Sequence, residues 1–156
     1  MNRPSRLLVT FDGSDPSRSV FSHAASLATA MNAGLTLLEV HAVPTHIWAI
    51  PDPEQRQQAI QAHARDRVDE VARVAEEIRQ SYGVEVEAIS RPLNQRWSVA
   101  DEILAVADEI DAAVICMATQ GQSSQSHFII GSTTISVLAK SKRPLVVVRS
   151  DAGSGG

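Results

Sequence analysis

Short apolar runs alternate along this chain with longer segments in which apolar residues recur every three or four positions. Runs of the first kind predict buried strands, and segments of the second kind predict amphipathic helices. Strands that alternate with helices pair in parallel, and right-handed connections place the helices on both faces of the sheet. The sequence therefore predicts an α/β fold, an open, doubly wound, five-stranded parallel sheet with four helices. The predicted strands cover residues 7–11, 35–43, 84–89, 113–117 and 145–149.

The longest predicted helix runs from Glu54 to Tyr82. Its apolar residues step by three or four positions and predict one buried seam, while its charged side chains are expected in solvent. The first helix has Ser14 or Asp15 as its cap, and Ser98 caps the third helix. The predicted seam consists of Ile60, Ala64, Val68, Val71, Ala75, Ile78 and Tyr82.

Length and composition are those of a soluble globular protein. The 156 residues are 44% hydrophobic and 21% charged, which suits a single domain over residues 1–150 and a disordered tail over residues 151–156. A net charge of -4 argues against nucleic acid or an anionic membrane as a partner. Cys116 is the single cysteine, so no internal disulfide can form, and we expect a cytoplasmic protein.

The longest predicted loop connects the fourth strand to the last helix, from Met117 to Ser132. Small residues leave its backbone N–H groups unpaired, and these groups suit an anion such as phosphate at the helix N-terminus. Gly121 and Gly131 can adopt positive φ and admit a ligand closely, while Ser132 and Thr133 offer hydroxyl groups. The alternative is a plain connection whose glycines relieve strain.

A ligand of an open α/β sheet binds at the carboxyl ends of the strands, where the strand order reverses. We expect this reversal between the first and fourth strands, in the order 3-2-1-4-5. Asp12 follows the first strand and Ala118 follows the fourth, so both can reach the same crevice. The alternative for Asp12 is a turn aspartate that accepts hydrogen bonds from its own backbone.

The loop residues Ala118, Gly121, Gly131 and Ser132 fall on the four positions of the pattern Gly-x2-Gly-x9-Gly-Ser/Thr, with alanine at the first position. This pattern resembles the nucleotide loop of the universal stress protein family. The resemblance extends from the Asp12-Gly13-Ser14 turn to the last strand at Leu145–Val148. It implies an adenine nucleotide α-hydrolase-like fold.

The resemblance also assigns a role to individual residues. An acid after the first strand, here Asp12 with Thr10 beside it, would lie near the adenosine, and Val40 would line the adenine pocket. Plain core is the alternative for Val40. The implied cofactor is ATP or another adenine nucleotide, with or without Mg²⁺. The implied phosphate-binding residues are Ala118, Gly121, Gln122, Ser123, Gly131, Ser132 and Thr133.

No lysine or arginine lies between Gly121 and Ser132. Arg96, beside Trp97, could reach the crevice and supply a positive charge. The alternative is that both are exposed loop residues.

The sequence lacks the signatures of a dedicated enzyme. It has no Gly-x4-Gly-Lys-Ser/Thr loop and no Gly-x-Ser-x-Gly elbow, and its histidines are too dispersed for a zinc site. We therefore predict no catalytic and no metal-binding residues.

Three functions remain open. The first hypothesis is a cytoplasmic nucleotide-binding module that acts in stress response as a ligand-dependent switch, with little or no turnover. The second is a nucleotide-independent dimeric interaction module of the same family, and the third is a slow ATPase. The resemblance implies a homodimer through the last strand, Leu145–Val148, because an exposed apolar edge must be paired or covered.

Overall fold

A computed structural model of the chain describes residues 4–119 and 130–149. Its strands and helices alternate as the apolar pattern predicts. The strands are β1 (Arg6–Thr10), β2 (Gly34–His41), β3 (Val86–Pro92), β4 (Val114–Ala118) and β5 (Leu145–Val148). The helices are α1 (Asp15–Arg18), α2 (Phe21–Met31), α3 (Thr45–Trp48), α4 (Pro53–Tyr82), α5 (Val99–Glu109) and α6 (Ser132–Lys140).

The five strands form one parallel sheet in the order β3-β2-β1-β4-β5, so the predicted topology is confirmed. β1 lies at the centre, where Leu7 pairs with Leu35 of β2 on one side and Val114 of β4 on the other. The strand order reverses between β1 and β4, because the chain first builds β2 and β3 outward and then returns. β3 is an edge strand, as its alternating sequence predicts.

Two hydrophobic layers cover the two faces of the sheet. Alternation along β1 sends Leu7 and Val9 to one face, where α2 and the second half of α4 pack. Leu8 points to the other face, against α5 and α6. Both sides of β1 are therefore buried, which is why its sequence is continuously apolar.

The helix predicted after β1 is divided into α1 and α2. Ser19 ends α1, because both its N–H and its hydroxyl donate to the carbonyl oxygen of Pro16, at 3.2 and 2.6 Å. This bond to the third residue back tightens the last turn, and α2 starts anew at Phe21. The proline-containing segment predicted as loop also holds a short helix, α3. The prediction of four helices is therefore wrong, because α1 is a separate helix and α3 was predicted as loop.

The predicted seam of α4 is wrong at two positions. Val68 and Tyr82 are 53% and 44% exposed, whereas the fully buried residues of this helix are Val71, Val74, Ala75 and Ile78. One helical turn of 3.6 residues before Val71 lies at Arg67, not at Val68. The face of the helix that points to the sheet therefore becomes polar in the first half of α4.

Polar side chains cap the N-termini of α1, α4 and α5. Ser14 caps α1 by accepting from the N–H of Ser17, and Ser98 caps α5 in a reciprocal capping box with Asp101. Asp52 caps the N-terminus of α4 by accepting from the N–H of Gln55, and Gly83 ends the helix with a φ of 65°. Within residues 4–119 and 130–149, each helix is too short or too polar to cross a lipid bilayer.

Candidate functional site

A pocket of about 310 Å³ opens at the carboxyl ends of β1 and β4, where the strand order reverses. Its floor is apolar and comes from β2, β4 and the first turns of α5. Its rim is polar and comes from the last residue of β1, the turn after it and the N-terminus of α6. The floor consists of Leu38, Val40, Val99, Ile103 and Met117, and the rim includes Thr10, Asp12, Ser17, Ser132, Thr133 and Thr134.

The parallel sheet explains why these residues meet. Alternation along β2 turns Leu38 and Val40 toward the face covered by α5, and Met117 of β4 lies on the same face. α5 then covers these side chains with Ile103, which is buried in the same layer. The pocket is thus the open end of this hydrophobic layer.

Asp12 lines the pocket and also fixes the turn after β1. Its Oδ1 atom accepts from the N–H of Ser14 at 2.9 Å and from the hydroxyl of Ser14 at 2.5 Å. Ser17 stabilises the same turn, because its hydroxyl donates to the carbonyl oxygen of Ser14 at 2.7 Å. Asp12 is therefore a turn aspartate that also lines the pocket. The turn holds its carboxylate in one orientation.

Ala118 is the last residue of β4 and pairs with Val148 of β5. It is 7% exposed and is not one of the described residues with positive φ. An alanine at this position of the loop pattern therefore carries no conformational cost.

Gly131 precedes α6 with a φ of -59°, so the positive φ considered for it is wrong. Its N–H donates to the carbonyl oxygen of Thr119 at 2.7 Å, and a Cβ atom built on it would lie 3.4 Å from that oxygen. This spacing is ordinary contact. Within the part of the chain that the structure describes, the backbone at Gly131 is thus compatible with a small side chain, and its N–H ties it to Thr119.

Ser132 and Thr133 form the first turn of α6 on the rim of the pocket. No side chain of the described residues caps this helix, whose cap position is Gly131. The first N–H groups of a helix have no partner within it and carry the positive end of its dipole. This side of the pocket can therefore donate hydrogen bonds to an anionic group.

Three of the predicted site residues, Gly121, Gln122 and Ser123, lie outside the described part of the chain. Among described residues the pocket lining contains no lysine or arginine. Arg96 does not line the pocket, and both Arg96 and Trp97 are exposed, as the alternative interpretation had it.

Several lining residues were not singled out by the sequence. Ile103 and Val99 have the periodicity of a helix face, which indicates burial but does not say that the face ends at a pocket. The sequence indicates the position of Ser17 only weakly, through its place three residues after the capping Ser14. Nothing in the sequence indicates a role for Thr134, since that role depends on its hydrogen bond to the carbonyl oxygen of Ala118.

Cys116 lies in β4 at 0% exposure, and burial raises the pKa of its thiol to about 11. The thiol is therefore protonated at neutral pH, and it is a packing residue rather than a nucleophile.

Comparisons with known proteins agree with this geometry. The model described as the universal stress protein family matches residues 4–149. Among solved structures, universal stress protein UspA from Lactobacillus plantarum is 21% identical, with a TM-score of 0.70 over 96% of this chain and 100% of that chain. A universal stress protein in complex with cAMP is 19% identical, with a TM-score of 0.64 over 96% and 100%.

A universal stress protein from Archaeoglobus fulgidus in complex with dAMP is 20% identical, with a TM-score of 0.60 over 95% of this chain and 99% of that chain. A search of the curated proteins finds no match.

Proposed function

This chain belongs to the universal stress protein family, and we propose that it binds an adenine nucleotide in the pocket between β1 and β4. The observation that carries the proposal is the division of this pocket into an apolar floor and a polar rim. A purine base requires an apolar surface, and a ribose and a phosphate require polar groups.

The size and chemistry of the described residues fit such a ligand. A volume of about 310 Å³ lies at the lower end of the range of small-molecule sites. Val40 and Met117 would contact the base, and Thr10 and Asp12 offer oxygen atoms to the ribose. The amides and hydroxyl groups of Ser132 and Thr133 would hold phosphate.

The nature of the nucleotide is part of the proposal. Two structurally similar proteins were solved with cAMP and with dAMP. We place ATP, with Mg²⁺ as its companion ion, and AMP among the ligands to be tested. The bound form would act in the cytoplasm as a ligand-dependent switch during stress, with little or no turnover.

Equilibrium dialysis with labelled ATP, AMP and cyclic AMP tests binding. Val40→Phe fills the apolar floor, so we expect it to weaken binding strongly. Val43→Phe is the matched control, because Val43 is half-buried in the same region but does not line the pocket. Absence of uptake by the wild type at millimolar ligand would overturn the proposal.

A second candidate is a nucleotide-independent dimeric module, and the exposed apolar side of α6 favours it. Ile135 and Leu138 are 52% and 57% exposed, and they belong to the helix that precedes the edge strand β5. All four residues of β5 are only partly buried. Pairing of two β5 edges across a twofold axis would cover both surfaces.

Sedimentation velocity tests the dimer separately from the ligand. We expect a dimer at tens of micromolar, and we expect Leu138→Glu to shift it toward monomer. Val68→Glu is the control, because Val68 is equally exposed but lies on α4. A monomeric wild type would count against the dimer in both candidate functions.

A further inference from the structure

Four ionisable side chains form a half-buried cluster between β2 and α4. Glu39 and His41 lie on β2 and are 5% and 8% exposed, and His63 and Arg67 come from α4. We call this set the β2–α4 polar cluster. It lies on the sheet face opposite the pocket, because Val40, between Glu39 and His41, points into the pocket.

The contacts within the cluster are specific. Arg67 pairs with Glu39 at 2.7 Å, and the rings of His41 and His63 meet edge to face with centroids 5.4 Å apart. The Nδ1 atom of His41 lies 3.1 Å from the hydroxyl of Ser90 on β3. Two buried atoms, Nε2 of His63 and Nε of Arg67, have no hydrogen-bond partner among the described residues.

This cluster replaces hydrophobic packing along the first half of α4. The fully buried residues of the helix begin at Val71, and every residue from position 53 to 70 is partly or fully exposed. Residues 53–67 therefore lack a fully buried apolar face, and His63 and Arg67 supply their polar contacts with β2, whereas residues 71–78 are held by an apolar face.

Two groups near the His41 ring, His63 and Arg67, oppose a positive charge on it. α4 contributes Arg67 and His63, β2 contributes Glu39, and β3 contributes only the neutral hydroxyl of Ser90. The next charged residue of β3, Arg91, pairs instead with Glu109 of α5. On α4, Asp66 and Glu70 act on Arg67. Glu39 is thus the one buried carboxylate of the cluster, and it is already paired with Arg67.

We propose that the β2–α4 polar cluster is a pH-sensitive switch, in which protonation of His41 releases residues 53–67 of α4 from the sheet while residues 71–82 stay docked. A second positive charge beside Arg67 has no free buried carboxylate to pair with. It must therefore reach water, and the first half of α4 is the element that can move to admit it.

The direction of the pH dependence follows from burial. Burial lowers the pKa of His41 below 6.5, and His63 and Arg67 lower it further. His41 therefore binds the proton more readily when residues 53–67 are released than when they are docked. Docking is fully stable above about pH 6.5 and weakens as the pH falls from there toward the lowered pKa.

Hydrogen exchange followed by mass spectrometry tests the switch on the full chain. Exchange is compared at about pH 7.5 and about pH 5.5, after correction for the intrinsic pH dependence of each amide. We expect several-fold faster exchange at the lower pH over residues 53–67, with no change over residues 71–82. His41→Gln should abolish the difference, and His23→Gln, in an exposed position of α2, should preserve it.

His63→Gln provides a second variant should His41→Gln fail to fold. It removes one of the two groups that lower the pKa of His41 in the docked state, so the docked and released pKa values of His41 lie closer together, and the acceleration at about pH 5.5 should be smaller than in the wild type. Equal protection of residues 53–67 at both pH values would overturn the proposal. An acceleration that persists in His41→Gln would overturn it as well.

Discussion

The hydroxyl of Thr134 donates a hydrogen bond of 3.0 Å to the carbonyl oxygen of Ala118, and this bond ties the first turn of α6 to the carboxyl end of β4. A second bond, from the N–H of Gly131 to the carbonyl oxygen of Thr119, lies beside it at 2.7 Å. Together they fix both ends of the connection between β4 and α6. The polar rim of the pocket is therefore positioned by the fold before any ligand arrives.

Replacing Thr134 with valine should lower the free energy of unfolding by about 1–2 kcal/mol, because the carbonyl of Ala118 loses a buried partner. Urea denaturation measures the change. Thr36→Val is the matched control, since the Thr36 hydroxyl is buried without a partner among the described residues. This control should be neutral or should gain up to about 1 kcal/mol. An equal loss in both variants would contradict the explanation.

The two glycines Gly83 and Gly131 should respond oppositely to alanine. Gly83 ends α4 with a φ of 65°, where a Cβ atom costs about 1 kcal/mol. Gly131 has a φ of -59° and, among the described residues, room for a Cβ atom, so Gly131→Ala should be neutral or slightly stabilising. Thermal unfolding of both variants decides this. A large loss in Gly131→Ala would show that the site needs other backbone angles.

Replacing Arg67 with methionine should lower the free energy of unfolding by about 3 kcal/mol at neutral pH, because it leaves the buried carboxylate of Glu39 without its partner. Arg18→Met removes an ion pair to Glu77 in which both side chains are largely exposed. That control should cost less than about 1 kcal/mol. Combining Arg67→Met with Glu39→Leu should recover most of the loss.

The capping box of α5 should weaken in acid. The backbone N–H of Ser98, its hydroxyl and Lys140 lower the pKa of Asp101 from 3.8 to about 2. A lowered carboxylate pKa stabilises the fold above about pH 3.8, and the contribution is lost as the pH falls toward about 2. The gap in urea midpoint between wild type and Asp101→Asn should therefore narrow with acid. Asp69→Asn, in an exposed position of α4, should show no such trend.

Local patterns were sufficient to predict most of the architecture. The continuous apolar run of β1, the capping Ser98 and the terminating Gly83 each depend on neighbours a few residues away. Right-handed connections then leave few topologies, and the predicted strand order is the observed one. The use of local patterns alone also explains why Val68 was wrongly predicted to be buried. Steps of three or four residues fit two adjacent faces of the same helix equally well.

The sequence by itself determined the strands, the longer helices and the order of the sheet, and it offered a group of residues, from Thr10 to Thr133, that could face one crevice. Tertiary structure alone decided the details that join distant positions. Thr134 meets Ala118, Arg67 meets Glu39, and Ile103 closes the floor beneath Val40 only because packed helices bring them together. Such contacts leave no periodic trace in a sequence, because hydrogen bonds and buried charges depend on distance in space rather than along the chain.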